Sequence, residues 1–254
     1  MTLTQIRIPR WTAPEFERLF LSSNPKVAIF DCDGTLWNGD SGFGFMEWSL
    51  KKDMFSRSAK ERLDLRYRAY MAGKVSEVDM CGEMVQIYAG MSEEEVRAAA
   101  ALYVSEFLPP RVFAEMAALV AALNKAGVEL WAVSSTNKWV VAEGARNFGI
   151  PEERVLAAEV RVINGLLTRE IVDVPTDEYK AAALQRVGLD RPDAVFGNSV
   201  HDLAMLEIAH NPFPINPSPG LLEAAAKNGW GYFQPEVAAG SKAAVPGESS
   251  LSGS

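Results

Sequence analysis

The chain has only two cysteines, Cys32 and Cys81, and only two histidines, His201 and His210, at unrelated positions. A disulfide framework needs several cysteines and a zinc site needs clustered thiols and imidazoles, so neither signature is present. Both thiols read as small buried hydrophobes. Long apolar runs are missing too: no segment approaches the roughly 20 residues that a membrane helix requires. The first residues, MTLTQIRIPRW, hold no continuous apolar stretch of the kind a secretory leader carries. A cytoplasmic location is therefore expected. Basic residues are in deficit, with 25 Lys and Arg against 33 Asp and Glu and a formal charge of −8. A nucleic-acid backbone demands a clustered basic surface, so neither nucleic acid nor membrane is expected as a partner. A small anion can still be held locally.

What the chain does have is bulk and pattern. Its 254 residues, 48% of them hydrophobic, suffice for one α/β domain with a large insertion, or for two domains of unequal size. The first strand-like run is VAIF, Val27 to Phe30, and the next is VELWAVSS, Val128 to Ser135. Between them RLDLRYRAYM, EVDMCGEMVQIYAG and SEEEVRAAAALYVSEF place apolar residues three and four apart, the period of helices. Ser92 and Glu95 predict a capping box. From Arg111 the pattern predicts a helix to Lys125, a strand over 128–134, a helix over 137–148 and a strand near 154–160. A hairpin at Asn164-Gly165 follows, then a helix over 177–187, a strand over 193–197, a helix over 200–209, a strand over 212–215 and a helix over 218–228. Strands alternating with helices predict a Rossmann-like parallel sheet covered on both faces. The expected organisation is a core domain of residues 1–37 and 110–235, a helical insertion over 38–109, and a Gly/Ser-rich disordered tail over 236–254.

In such a sheet ligands bind outside the carboxyl ends of the strands. Three strands end there in polar clusters: Asp31-Cys32-Asp33, Ser134-Ser135-Thr136 and Gly197-Asn198-Ser199. Turns use Asp, Ser and Gly freely, so one such cluster is consistent with a bare turn; three should converge on one crevice. Side chains i and i+2 of an extended chain share a side, which lets Asp31 and Asp33 face the crevice while Cys32 turns to the core. That pair can supply a nucleophile and a general acid/base, the two protein groups that hydrolysis of a phosphate ester requires. Ser134 and the N–H groups after it suit a phosphoryl oxygen. Lys180 can neutralise charge beside Asp31, although a lone lysine at a helix start is also an ordinary solvated residue. Asp202 in GNSVHD either complements a helix dipole or completes an oxygen-only magnesium site.

Together these residues carry a resemblance. DxDGT at Asp31 to Thr35, strand-end Ser134, Lys180 and GNSxxD from Gly197 to Asp202 resemble, in order, the four motifs of the haloacid dehalogenase superfamily of phosphotransferases. The resemblance spans roughly residues 26 to 230, and the helical insertion is similar to the cap of the branch that contains phosphoserine phosphatases. It implies catalytic roles for Asp31, Asp33, Ser134 and Lys180, and Mg²⁺ held by Asp31, the backbone carbonyl of Asp33, Asn198 and Asp202. It implies phosphoryl transfer and not dehalogenation, because the second aspartate is present. Two departures stand out. Asn198 occupies a position where most members have Asp, and the cap helix EVDMCGEMVQIY lacks the arginine that grips the phosphoserine carboxylate, its place falling near Met84. Asp40 matches the acidic residue that meets the substrate ammonium, and Trp37, Phe43, Phe45 and Trp48 surround it in sequence. Asp40, Trp37, Ser135 and His201 are the expected substrate contacts. The expected activity is a Mg²⁺-dependent phosphomonoester hydrolase with an aspartyl-phosphate intermediate, acting on a small organic phosphate of the amino-alcohol kind. The alternatives are a phosphotransferase or phosphomutase, or a catalytically weak phosphometabolite-binding protein.

Overall fold

The computed structural model describes residues 8–236. The expected tail lies, beyond Glu236, outside the described residues. In chain order the elements are β1 (Arg10–Trp11), α1 (Ala13–Ser23), β2 (Val27–Phe30), α2 (Ser41–Lys51), α3 (Arg57–Met71), α4 (Glu77–Gln86), α5 (Glu93–Phe107), α6 (Ala114–Lys125), β3 (Glu129–Asn137) and α7 (Lys138–Arg146). There follow β4 (Val155–Ile163), β5 (Leu166–Asp173), α8 (Glu178–Arg186), β6 (Ala194–Gly197), α9 (Leu203–Glu207), β7 (Asn211–Pro214), α10 (Pro219–Asn228) and β8 (Tyr232–Phe233). Six strands form one sheet in the order β5-β4-β3-β2-β6-β7, parallel except for the antiparallel β4–β5 hairpin. β1 and β8 pair separately. The fold is the expected α/β class, a parallel sheet between two layers of helices.

β2 is apolar without polar alternation because both its faces are covered. Ala28 and Phe30 belong to a large apolar cluster with α1, α6 and α7, while Ile29 joins Val133, Leu184, Val195, Met205, Leu206 and Leu221 on the other face. Phe30 stacks on Phe196 at 4.5 Å between ring centroids, and Phe196 stacks on Phe213 at 4.9 Å. Each fully buried phenyl ring contributes about 1.5–3 kcal/mol of apolar transfer, so the strand that ends in Asp31 is a rigid base. The β4–β5 turn is tight because Asn164 and Gly165 both take positive φ, 52° and 76°.

Helices α2 to α5 fill the interval between β2 and α6. They pack on the core through Phe45, Tyr88 and Tyr103 and keep a small apolar cluster of their own around Met46, Leu63 and Met80. Among the described residues no helix is long and apolar enough to cross a membrane. Three local expectations differ from the structure. β3 runs on to Asn137 because its ladder with β4 shifts register between Ser134 and Asn137 and then resumes. The helix expected over 200–209 is a 3-10 turn, Val200–Asp202, followed by the short α9, because the Asp202 carboxylate bends back onto the backbone before it. Ser92 caps α5 without a side-chain hydrogen bond. A β-bridge pairs it with Leu166, and the next N–H, Glu93, donates to the Gly165 carbonyl, so the hairpin does the work expected of the capping box.

Candidate active site

Chain direction carries the polar strand ends to one place. Asp31 follows β2, its N–H donating to the Phe196 carbonyl of the neighbouring strand at 2.9 Å. Its carboxylate is 5% exposed. Oδ2 accepts from the Thr35 hydroxyl at 2.8 Å and Oδ1 from Lys180 Nζ at 2.7 Å. Lys180 is 2% exposed and also donates to Asp202 Oδ1 at 2.6 Å and to the Val133 carbonyl at 3.3 Å. Asp202 turns its other oxygen to the N–H groups of Asn198 and Ser199, at 2.8 and 2.9 Å. One buried ammonium thus bridges two buried carboxylates. Burial first, and then the Asp202 charge, push the Asp31 carboxyl up to about 7 against the pull of Lys180. Burial would depress Lys180, but the two carboxylates outweigh it and hold the amine charged.

Asp33 sits on the next turn. Its Oδ1 accepts from the Trp37 indole N–H at 2.6 Å and the Ser41 N–H at 2.9 Å, and its Oδ2 from the Thr136 hydroxyl at 2.8 Å. Burial raises its pKa in spite of these donors, the direction that suits a general acid. Cys32, between them, is fully buried in the core, and burial pushes both thiols well above their usual range, which removes them as competing nucleophiles. Gly34 has a φ of +79°, and a Cβ there would lie 2.0 Å from the Asn198 amide nitrogen, so only glycine lets the two loops meet.

Ser134 is buried, its hydroxyl oxygen accepting from the Thr136 N–H at 3.2 Å and its own proton uncommitted among the described residues. Ser135 is half-buried beside it. His201 Nδ1 lies 2.8 Å from Asp177 Oδ1, and since a carboxylate only accepts, the ring donates there and Nε2 turns away from it. Asp177 adopts φ 50° and ψ −130° at the start of α8, a strained conformation that sets the helix bearing Lys180. Asp40 caps α2, accepting from the Phe43 N–H at 2.8 Å. Solvent reaches its carboxylate, which tempers the upward push from surrounding protein and from Asp33 and Glu77.

Trp37 corrects one expectation. It is 1% exposed, packs against Phe148 and Gly144, and spends its indole N–H on Asp33, so it positions that carboxylate and does not face a substrate. Phe45 and Trp48 likewise turn into the fold, Phe45 stacking on Tyr88 and Trp48 packing at a tilt against Tyr103. Thr35 and Thr136, which the sequence placed in the strand-end motifs without a role of their own, hold Asp31 and Asp33, and Asp177 is a neighbour that the sequence did not single out.

The oxygen set fits a hard divalent cation. Lys180 pairs with Asp31 and Asp202, Asp33 adds a third carboxylate two residues from Asp31 with no cation paired to it, and the Asn198 side-chain amide makes no hydrogen bond among the described residues. No three Asp, Glu, His or Cys side chains there close around one point. The Asp33 backbone carbonyl, the Asn198 amide oxygen and water would thus have to complete the shell, as Mg²⁺ tolerates.

The family model of the haloacid dehalogenase-like hydrolases matches residues 28–207. A histidinol-phosphatase of Neisseria meningitidis serogroup C is 25% identical over 215 residues, covering 80% of this chain and 96% of the relative. Among solved structures, a Bordetella pertussis Tohama I protein of unknown function superposes with a TM-score of 0.73 at 25% identity, covering 82% of this chain and 97% of that one. A phosphoserine phosphohydrolase-like protein of Francisella tularensis shares the fold at a TM-score of 0.56 and 19% identity, covering 82% and 94% of the two chains.

Proposed function

The chain belongs to the haloacid dehalogenase-like hydrolases and is a phosphatase among them, and from this premise we propose that it hydrolyses a small amino-alcohol phosphate through a phosphorylated Asp31. The observation that carries the reading is the floor of the crevice, where a buried Asp31 paired with Lys180 stands two residues from a separately held Asp33.

A carboxylate oxygen of Asp31 attacks phosphorus as the ester P–O bond breaks, and Asp33 gives its proton to the departing alkoxide. Asp33, now a carboxylate, takes a proton from water; the water oxygen attacks phosphorus, the acyl phosphate opens, and inorganic phosphate leaves with Asp31 restored. Ser134 donates to a phosphoryl oxygen throughout, and Lys180 offsets the charge shared by the phosphate and Asp31. Asp31, Asn198, Asp202 and the Asp33 carbonyl would hold Mg²⁺, which supplies further positive charge to the phosphoryl oxygens when bound. The helices over 38–109 act in this reading as a cap that closes the crevice, with the remainder of the described chain as the core.

The amino-alcohol class rests on what the cap offers. Arg57, Arg62, Arg66 and Arg68 are all exposed, and Arg66 is committed to Glu83. Arg111, near Gly39, donates to the Phe107 carbonyl. Among the described residues no arginine fork is thereby presented to a carboxylate, whereas Asp40 is acidic and open. The Neisseria relative is called a histidinol-phosphatase, and histidinol phosphate is an amino-alcohol ester. A second reading, a binder with little turnover, draws on the amide at Asn198, which removes one charge from the metal shell. Phosphate release from a generic aryl phosphate separates the two: Mg²⁺-dependent turnover is expected, and none under any divalent cation would leave the binder.

A further inference from the structure

We propose that Glu77, on the first turn of α4, is a specificity-determining residue that receives the protonated amine of the leaving group opposite Asp40. The inference rests on the hydrolase reading above and concerns a residue that none of the four motifs contains.

Glu77 Oε2 is shut off from solvent and accepts no hydrogen bond. Its nearest basic nitrogen, His201 Nε2, is 3.9 Å away, beyond hydrogen-bond reach, and the ring's other nitrogen is taken by Asp177. Oε1 meets the Cys81 thiol at 3.5 Å, a weak donor, and the Tyr70 phenol also turns a hydrogen bond toward this carboxylate. A mostly buried carboxylate answered only by neutral donors is expensive unless a cation pairs with it. The position of Glu77 explains where that cation comes from. His201 belongs to the 3-10 turn that also bears Asp202, so Glu77 is the point at which the helical insertion reaches the catalytic loops.

The surroundings favour a cation and disfavour an anion. Phe43 and Tyr67 pack at 4.7 Å and Tyr67 and Tyr70 at 6.0 Å, an aromatic wall beside the carboxylates. Burial, then a hydrogen bond to Glu77, push the Tyr70 phenol up, and burial, then the charges of Asp40, Glu47 and Glu77, push up that of Tyr67, so both rings lie close to the acids. A carboxylated leaving group would meet the like charges of Asp40, Glu77 and Asp177. A protonated amine would convert the uncompensated Oε2 into a charge-assisted pair, binding energy that an uncharged alcohol cannot draw upon.

The test compares kcat/KM for phosphoethanolamine with that for ethyl phosphate, which differs by lacking the amine. In Glu77→Gln, an isosteric change that keeps the acceptor and removes the charge, the ratio should fall by about 10- to 100-fold. In Glu77→Lys, phosphoglycolate should gain on ethyl phosphate. A ratio that stays put, or equal losses on both esters, would mean that Glu77 is only structural and would overturn the inference. If the wild-type chain released phosphate from no ester, the hydrolase reading would fall; the same ratio, measured as dissociation constants by titration calorimetry, would still decide the role of Glu77.

Discussion

The floor and the roof of the crevice are built differently. On the floor every carboxylate is tied: Asp31 to Lys180 and Thr35, Asp33 to Trp37, Ser41 and Thr136, Asp202 to Lys180 and two backbone N–H groups. On the roof Asp40 is tied at one oxygen and the inner oxygen of Glu77 at none. Donors fixed in advance around developing charge do the same chemistry on any phosphate ester. Groups left wanting a partner respond to whichever leaving group provides one. Rate should therefore live on the floor and selectivity on the roof.

Five perturbations sharpen that division. The largest effect is expected on the floor, where Asp31→Asn should lower turnover of every ester by at least ~10⁴-fold, since an amide is no nucleophile. Asp33→Asn should cost ~10²–10⁴-fold, with substrate binding kept. Initial rates across several esters check both; a loss confined to amine-bearing esters would erase the distinction. Lys180→Met leaves Asp31 and Asp202 facing each other in the interior, and breaking a buried pair in this way costs about 3–5 kcal/mol. Urea unfolding should show it, with part of the loss regained at lower pH as a carboxyl takes up a proton.

The fourth perturbation is the metal. Burial raises Asp31 from 3.8 to about 7, so the folded chain binds a proton there that the unfolded chain has lost. Its contribution to stability is thus largest below about pH 4 and falls as pH rises toward 7. Mg²⁺ requires the ionised form and offsets that fall, so the rise in Tm on adding Mg²⁺ should be greater at about pH 8 than at about pH 5. Removing the metal with a chelator should reverse it. Equal shifts at both pH values would place the cation away from Asp31. The smallest effect is on the roof: Asp40→Asn keeps the oxygen that caps α2, so stability should change by under about 0.5 kcal/mol while preference for phosphoethanolamine over ethyl phosphate drops a few-fold.

How far the sequence was legible follows the same line. β2, β3 and β6 could be read because apolar runs of this length ending in polar clusters are what a doubly covered parallel strand requires, and the Asn164-Gly165 turn because positive φ selects those residues. Asp31 and Asp33 stood out as a doublet at such a strand end. Lys180 and Asp202 were legible only through the resemblance, since each alone is an ordinary helix-start residue. Thr136 was visible in a strand-end cluster, but its role was not, because its bond to Asp33 closes across 103 residues. Trp37 was misassigned because an aromatic after a strand shows its direction only when the loop folds back and buries it. Glu77 carried no local signal at all: its meaning comes from α4 reaching the loop of His201.

The central claim is a covalent bond between Asp31 and phosphorus. Acid quenching during steady-state turnover of an aryl phosphate with Mg²⁺, followed by borohydride reduction and peptide mass spectrometry, reads it directly. The account predicts reduction of residue 31 to homoserine, dependent on substrate and absent in Asp31→Asn. Rapid phosphate release with residue 31 unmodified at every quench time, or with the label on another side chain, would contradict it.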